Sequence, residues 1–132
     1  MAGAAAKERR VIRVLLVEDE EIHRVRARAL LRDAAGGVEL GEAGNGAEAV
    51  RRVREGGAYD LILTDRQMPV MDGHEATRQI RALGVTTPIV GLSSDSLAAD
   101  ADAFIKAGAD DFTPKPLSKE KLNRILAKFN LA

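Results

Sequence analysis

Two hydrophobic periodicities alternate along this chain, and the alternation constrains the fold more than any other feature. A short apolar run followed by apolar residues at helical spacing occurs five times after residue 10. A continuous apolar run suits a central strand of a parallel sheet, which is covered on both faces. Strict alternation with short connections places helices on both faces of that sheet. The sequence therefore predicts an α/β fold with five parallel strands and five helices.

The strands and the buried helix faces can be placed from the same pattern. The predicted strands are Val11–Val17, Val38–Ala43, Leu61–Thr64, Pro88–Ser93 and Asp111–Thr113. The alternating pattern of the second strand is typical of an edge strand. Asn45 and Glu48 have the spacing of a helix cap. The predicted buried helix faces are Ile22, Val25, Ala29 and Leu30; Ala47, Val50 and Val53; Ala76, Ile80 and Leu83; Leu97, Ala101, Phe104 and Ile105; and Leu122, Ile125, Leu126 and Phe129.

Length, charge and cysteine content exclude several classes of protein. A chain of 132 residues has room for one domain. Lys and Arg total 20 and Asp and Glu total 20, so no charge excess favours nucleic acid or a membrane surface. There is no cysteine, which excludes disulfides and thiolate chemistry. We expect a flexible tail over residues 1–10, one domain over 11–132, and a monomer in the cytoplasm, with the nucleus as an alternative.

Polar residues follow the predicted strands at the edge where ligands bind in open α/β sheets. They are Glu18 and Asp19 after the first strand, Asp65 after the third, Ser93 and Ser94 around the end of the fourth, and Lys115 with Pro116 after the fifth. Two carboxylates about 4 Å apart repel by roughly 1 to 4 kcal/mol, so three of them together favour a bound cation. Oxygen ligands indicate Mg²⁺ or Mn²⁺. A carboxylate, a divalent cation, an ammonium and a hydroxyl together suit phosphoryl transfer.

The chain resembles the receiver domains of two-component response regulators. The residues that carry the resemblance are Val17–Glu20, Asp65–Gly73, the Ser93–Ser94 pair and Lys115–Pro116. The stretch Met71–Thr77 also resembles plant phosphorelay regulators and the receivers of hybrid kinases, and the nearest subgroup is the plant single-domain, type-C-like regulators. The resemblance implies a flavodoxin-like, doubly wound (βα)₅ fold with strand order 2-1-3-4-5.

The resemblance also implies a metal-dependent phosphoryl acceptor. Asp65 would accept a phosphoryl group from the phosphohistidine of a histidine-phosphotransfer protein or histidine kinase. Glu18, Asp19, Asp65 and the backbone carbonyl of Gln67 would hold Mg²⁺. Glu18 stands where the family more often has Asp, and Gln67 occupies a position that affects the lifetime of the phosphoryl group.

The remaining roles implied by the resemblance concern the phosphoryl oxygens and the switch. Ser93, where Thr is also common, and Lys115 would bind the phosphoryl oxygens, and Ser94 would lie beside them or cap the following helix. Phe112 would occupy the aromatic switch position, although a core residue is an equal interpretation. The Lys115–Pro116 bond would be cis.

Other functions were weighed from the residues. The main alternative is a phosphohistidine phosphatase-like drain of phosphate from phosphotransfer proteins. A dehalogenase-type phosphatase needs an acid two residues after Asp65, where this chain has Gln67. A flavin carrier needs a Gly/Ser/Thr loop where this chain has Glu18–Glu20. A module that binds without chemistry is the last alternative, although no active-site charge is missing.

Several polar residues are better explained without a catalytic role. His23 and His74 are interpreted as surface or packing residues, since no partner ligand has metal spacing. Asp110 and Asp111 fit a turn better than a second metal site. The arginines of the first helix, Arg24, Arg26, Arg28 and Arg32, fit a solvated face or a contact with an acidic partner.

Overall fold

Five strands alternate with five helices in the computed structural model, which describes residues 11–34, 37–93 and 98–131. No helix in these ranges is long and apolar enough to cross a membrane. The predicted tail and Ser94 and Leu97 lie outside the described residues. The elements are β1 (Ile12–Val17), α1 (Glu21–Ala34), β2 (Val38–Ala43), α2 (Gly46–Arg54), β3 (Leu61–Asp65), α3 (Gly73–Ala82), β4 (Ile89–Ser93), α4 (Ala98–Ala107), β5 (Asp111–Pro114) and α5 (Lys119–Lys128).

The strands form one parallel sheet in the order β2-β1-β3-β4-β5, as the resemblance implies. Strand β1 pairs with β2 on one side and with β3 on the other, so the strand order reverses at β1. The crevice at such a reversal opens beyond the carboxyl ends of the strands. In this chain it is bordered by the ends of β1 and β3, at Val17 and Asp65.

Two apolar clusters pack on the two faces of the sheet. Side chains of a strand alternate between faces, so Val14 and Leu16 of β1 enter one cluster, while Leu15 and Val17 enter the other. The first cluster includes residues of α1 and α5, and the second includes residues of α2, α3 and α4. The central strands are therefore covered on both sides, which explains their continuous apolar runs.

Helix caps fix where the connections end. Asn45 accepts a hydrogen bond from the backbone N–H of Glu48, as the spacing predicts. Asp72 accepts a hydrogen bond from the backbone N–H of Glu75 in the same way, so α3 begins directly after Asp72. The cap at Asp72 fixes the end of the loop that follows β3, which restricts the conformations that this loop can adopt.

The predicted buried face of α1 is wrong. Ile22 is 73% exposed and Val25 is 49% exposed, whereas Ala27 and Leu31 are buried. Leu30 is partly buried against the same cluster. Apolar residues on α1 lie at helical spacing along two arcs, and periodicity cannot say which arc faces the sheet. Packing between α1, β1 and α5 selects the arc of Ala27 and Leu31.

Smaller corrections concern residues near helix ends. Leu83 is 42% exposed because it is the C-cap of α3. On α4, Ile105 is 49% exposed, and Asp100 is buried instead. Ala49 replaces the predicted Ala47 in the core of α2, because position 49 lies on the same face as Val53.

The β3–α3 loop contains a strained residue. Val70 has a φ of 71° and an exposed side chain, and the Met71 N–H donates to the Pro69 carbonyl oxygen at 2.8 Å. A β-branched residue in the left-handed region is unfavourable. We expect Val70→Gly to raise the free energy of unfolding by about 1 kcal/mol, because glycine relieves this strain.

Chemical denaturation of the two proteins measures this effect. The matched control is Val25→Gly, the same change at an exposed valine within α1, which should destabilise the protein. Destabilisation by Val70→Gly would show that the left-handed backbone carries no such strain.

Candidate functional site

The carboxyl ends of the strands bring the predicted site residues to one edge of the sheet, where several of them line a cavity. Glu18 and Asp19 follow β1, Asp65 ends β3, Ser93 ends β4 and Lys115 follows β5. A cavity of about 160 Å³ is lined by Glu20, His23, Asp65, Arg66, Gln67, Ser93 and Lys115. The prediction that these strand ends converge is therefore confirmed for the described residues.

Three carboxylates converge at this edge. Ligand oxygens of Glu18, Asp19 and Asp65 all lie within 4.8 Å of one another, the one such group among the described residues. Glu18 and Asp65 are buried, with 3% and 8% of their surface exposed. Asp19 Oδ1 is buried and has no hydrogen-bond partner in the described part of the chain. Hard oxygen ligands of this kind, one of them unsatisfied, fit a Mg²⁺-like cation.

Lys115 lies between two of the carboxylates. Its Nζ is 2.7 Å from Glu18 Oε1 and 3.2 Å from Asp65 Oδ2. The Lys115 backbone N–H donates to the Ser93 carbonyl oxygen at 2.7 Å, and the Lys115–Pro116 peptide bond is cis. Glu18 and Asp65 therefore face one positive charge together.

Burial and charge shift the pKa of each group. Burial, reinforced by the charge of Glu18, raises the pKa of Asp65 to about 6. Burial alone would raise the pKa of Glu18, but hydrogen bonds from Lys115 and from the Glu20 backbone outweigh it and lower that pKa. Burial opposes the charge of Lys115, yet its hydrogen bond to Glu18 raises the pKa of Lys115. Lys115 is therefore an ammonium at neutral pH.

Tight backbone contacts hold Asp65 at the cavity. The Arg66 N–H donates to Asp65 Oδ1 at 2.9 Å, and the Gly73 N–H donates to the Arg66 carbonyl oxygen at 2.8 Å. A Cβ on Gly73 would collide with the Asp65 carbonyl oxygen, so glycine permits this close approach. The β3–α3 loop is thereby closed against the strand end that carries Asp65.

Arg24 stabilises the loop after β1 that contains Glu18 and Asp19. Its guanidinium donates to the backbone carbonyl oxygens of Glu18 at 2.7 Å and Asp19 at 3.2 Å. Arg28 pairs with Glu42 at 2.9 Å. At least these two arginines of α1 therefore have structural partners rather than forming a purely solvated face.

Three residues that line the cavity, Glu20, His23 and Arg66, were not predicted as site residues. His23 Nδ1 is 3.3 Å from Lys115 Nζ and 3.5 Å from Glu18 Oε1. His23 follows Asp19 by one helical turn, a spacing that places it over the strand end. Arg66 directly follows Asp65 and lines the same cavity. Its position in the sequence was a signal, although a charged residue after a strand is too common to be diagnostic.

The other polar residues have structural contacts. His74 packs edge-on against Phe104, with ring centroids 4.3 Å apart, so its interpretation as a packing residue is confirmed. Asp110 accepts from the Ile89 N–H and pairs with Arg81 at 2.7 Å. These contacts favour the interpretation of Asp110 as a turn residue over a second metal site.

Phe112 is compatible with both of its interpretations. It is partly buried against the cluster under α2, α3 and α4, and its ring centroid is 6.1 Å from that of Phe104. Partial burial suits a core residue, and it also leaves room for a ring that changes position. Its role as a switch stays a prediction.

The raised pKa of Asp65 predicts a pH-dependent stability. Without a divalent cation, the native state retains a proton on Asp65 between pH 3.8 and about 6 that the unfolded chain has released. The cost of ionising Asp65 is therefore absent at low pH and fully present above pH 6. We expect Asp65→Asn in EDTA to raise the free energy of unfolding at pH 7.5 by about 1 to 2 kcal/mol, less than the full shift implies because the cavity opens to solvent.

Urea unfolding from pH 4 to pH 8 measures this difference. This difference in stability should shrink as the pH falls from 6 toward 4, because Asp65 becomes protonated in the native state and the cost of ionising it disappears. Asp102→Asn, at an exposed position of α4, is the control and should change little. A gain that does not vary with pH would contradict the electrostatic explanation.

Comparison with known proteins agrees with this geometry. The response regulator receiver domain family matches residues 14–127. The two-component response regulator ORR41 of Oryza sativa subsp. japonica is 71% identical over 125 residues, covering 94% of this chain and 98% of the relative. The regulator ARR22 of Arabidopsis thaliana is 38% identical over 120 residues, covering 87% and 81%.

A solved structure is similar in fold. The receiver domain of sensor histidine kinase PA1611 from Pseudomonas aeruginosa PAO1 has a TM-score of 0.80 and 36% identity, covering 91% of this chain and 98% of that one. That structure has a magnesium ion coordinated in its active site cleft.

Proposed function

The chain belongs to the response regulator receiver domain family of two-component systems, and from this premise we propose that it accepts a phosphoryl group on Asp65 with the help of Mg²⁺. The observation that carries the proposal is the convergence of three carboxylates and Lys115 at one strand edge. The proposed domain covers residues 11–132. Its proposed site comprises the phosphoacceptor Asp65, the metal ligands Glu18, Asp19, Asp65 and the Gln67 carbonyl, the phosphate-binding residues Ser93, Ser94 and Lys115, and the switch residue Phe112.

A divalent cation would be held by the carboxylates of Glu18, Asp19 and Asp65. Asp19 Oδ1, which has no hydrogen-bond partner among the described residues, is the atom that most needs such a ligand. The cation would neutralise charge between the carboxylates and the incoming phosphoryl group. Mg²⁺ is favoured by the oxygen donor set, and Mn²⁺ has the same preference. The magnesium ion in the PA1611 receiver supports this assignment.

The phosphoryl transfer is a displacement at phosphorus. A carboxylate oxygen of Asp65 attacks the phosphorus of a phosphohistidine; the new P–O bond forms as the P–N bond breaks, and the electron pair returns to the imidazole nitrogen. Lys115 lies 3.2 Å from Asp65 Oδ2 and is placed to pair with a phosphoryl oxygen. Ser93 ends β4 at the same cavity, where its hydroxyl can donate to another oxygen.

The proposed donor is a histidine-phosphotransfer protein or a histidine kinase. A phosphohistidine supplies the reactive P–N bond, and the proposed compartment is the cytoplasm, with the nucleus as an alternative. A monomer suffices for this role because every residue of the proposed site comes from one chain.

Net hydrolysis is the second candidate, and the place of Gln67 in the cavity favours it. A side-chain amide near an acyl phosphate can orient the attacking water, as glutamines do in other phosphoryl-transfer sites. Water attack would release inorganic phosphate and regenerate the Asp65 carboxylate. The protein would then drain phosphate from its donor rather than store the signal.

Intact mass after incubation with a phosphorylated histidine-phosphotransfer protein tests the proposal. We expect one added phosphoryl group on the wild-type chain in Mg²⁺, none in EDTA, and none on Asp65→Asn, since each condition removes a required group. Asp102→Asn is the matched control and should be labelled normally.

Released phosphate, followed in parallel, separates the two candidates. A long-lived adduct indicates a switch or relay, and rapid release that depends on Asp65 indicates a drain. Labelling of Asp65→Asn at the wild-type rate would refute the assignment of the phosphoacceptor.

A further inference from the structure

Arg66 lies between the cavity and a buried acid of α4. Arg66 lines the cavity together with Asp65, Ser93 and Lys115, and its backbone N–H donates to Asp65 Oδ1. Its Nε is 3.2 Å from Asp100 Oδ1. The Arg66 side chain is 35% exposed and that of Asp100 is 4% exposed. Arg66 therefore lies between two anionic sites, the Asp100 carboxylate and the cavity at Asp65.

Asp100 depends on this guanidinium for compensation of its charge. Both carboxylate oxygens of Asp100 are buried and lack a well-aligned hydrogen bond within the described ranges. Burying a carboxylate is costly unless it is paired. The only cationic groups that pair with Asp100 in the described part of the chain are Arg66 at 3.2 Å and His74 Nε2 at 3.6 Å.

His74 offers Asp100 a weak partner. Its ring is held against Phe104, and its Nε2 is buried without a hydrogen bond to any described residue. Burial lowers the pKa of His74, so the imidazole is neutral at pH 7.5. Arg66 therefore supplies the positive charge that faces Asp100.

A phosphoryl group on Asp65 would compete with Asp100 for Arg66. A phosphorylated side chain carries about −1.5 to −2 charge and oxygens that match the fork of a guanidinium. The existing ion pair is imperfect, since its Nε–Oδ1 contact of 3.2 Å is not an aligned hydrogen bond, and both oxygens of Asp100 lack one within the described ranges. A dianion in the adjoining cavity is therefore a stronger partner for Arg66 than Asp100 is.

We propose that Arg66 is a second cationic ligand of the phosphoryl group, held in reserve by Asp100, so that occupancy of the cavity weakens the Arg66–Asp100 pair at α4. The inference rests on the proposed function of Asp65. It assigns Arg66 to the binding of phosphoryl oxygens, and it assigns Asp100 to competing for Arg66 while the cavity is empty. A static ion pair that only ties the β3–α3 loop to α4 is the competing explanation.

A double-mutant cycle separates the two explanations. The readout is the affinity of the full chain in Mg²⁺ for beryllofluoride, a mimic of the phosphoryl group, measured by calorimetry. Arg66→Gln should weaken binding about fivefold, which corresponds to about 1 kcal/mol. Asp100→Asn should strengthen it by a similar factor, because the competitor for the guanidinium is lost while the shape of the side chain is kept.

The coupling between the two substitutions is the decisive quantity. In the Arg66→Gln background, Asp100→Asn should change the affinity little, because no guanidinium remains to be released. A purely structural pair predicts no gain from Asp100→Asn, or the same change in both backgrounds. Arg78→Gln, which removes an exposed arginine of α3 paired with Glu75, is the matched control and should leave the affinity unchanged.

Each result bears on one claim. An unchanged affinity of Arg66→Gln for beryllofluoride overturns the inference. Because the Arg66 side chain is 35% exposed, this variant provides a test even if Asp100→Asn does not fold. A third outcome is that the wild type binds beryllofluoride, Asp65→Asn abolishes this binding, and Arg66 and Asp100 show no coupling. This outcome refutes the inference alone and leaves the proposed function intact. Absence of beryllofluoride binding by the wild type would count against the proposed function itself.

Discussion

The ammonium of Lys115 between Glu18 and Asp65 is the interaction on which the site depends. Three carboxylates lie within 4.8 Å at a strand edge, and two of them are almost fully buried. Such a group would repel itself without a compensating charge. Lys115 supplies that charge at 2.7 and 3.2 Å, and β5 places it there through the sheet. The order of the strands is thus the means by which opposite charges meet.

Compensation of the three carboxylates by one lysine is incomplete. Asp65 keeps a raised pKa, and Asp19 Oδ1 keeps no hydrogen-bond partner among the described residues. Both are the marks of a site prepared for additional positive charge. A divalent cation would relieve the carboxylates, and Lys115 would then be available to a phosphoryl oxygen. In the proposed function, the same residues would serve the resting and the occupied states with different partners.

The site was predictable where it depended on position along the chain. Residues that follow an apolar run must lie at the carboxyl edge of a parallel sheet, which is why Glu18, Asp65 and Lys115 could be brought together from the sequence. The resemblance to receiver domains added the strand order, which alternation alone does not determine. The comparisons support the family and the fold, while the individual roles of these residues stay proposals.

What could not be predicted depended on packing between elements. Helix α1 has apolar residues on two arcs, and only its contact with the sheet selects Ala27 and Leu31. The pairing of Arg66 with Asp100 joins a loop to α4, and no local pattern marks that pair. His23 reaches Lys115 because α1 begins directly over the end of β1. Each case depends on how a helix is rotated about its own axis relative to the sheet, and the periodicity of the sequence does not determine this orientation.

The identity of the phosphorylated residue tests the account most directly. Reduction of the phosphorylated chain with borohydride converts an aspartyl phosphate to homoserine, and peptide mass spectrometry then locates it. The account predicts homoserine at position 65 in the presence of Mg²⁺ and at no other carboxylate. Homoserine at Asp19, or a phosphoryl group that survives borohydride on a histidine or serine, would contradict the assignment of Asp65 as the acceptor.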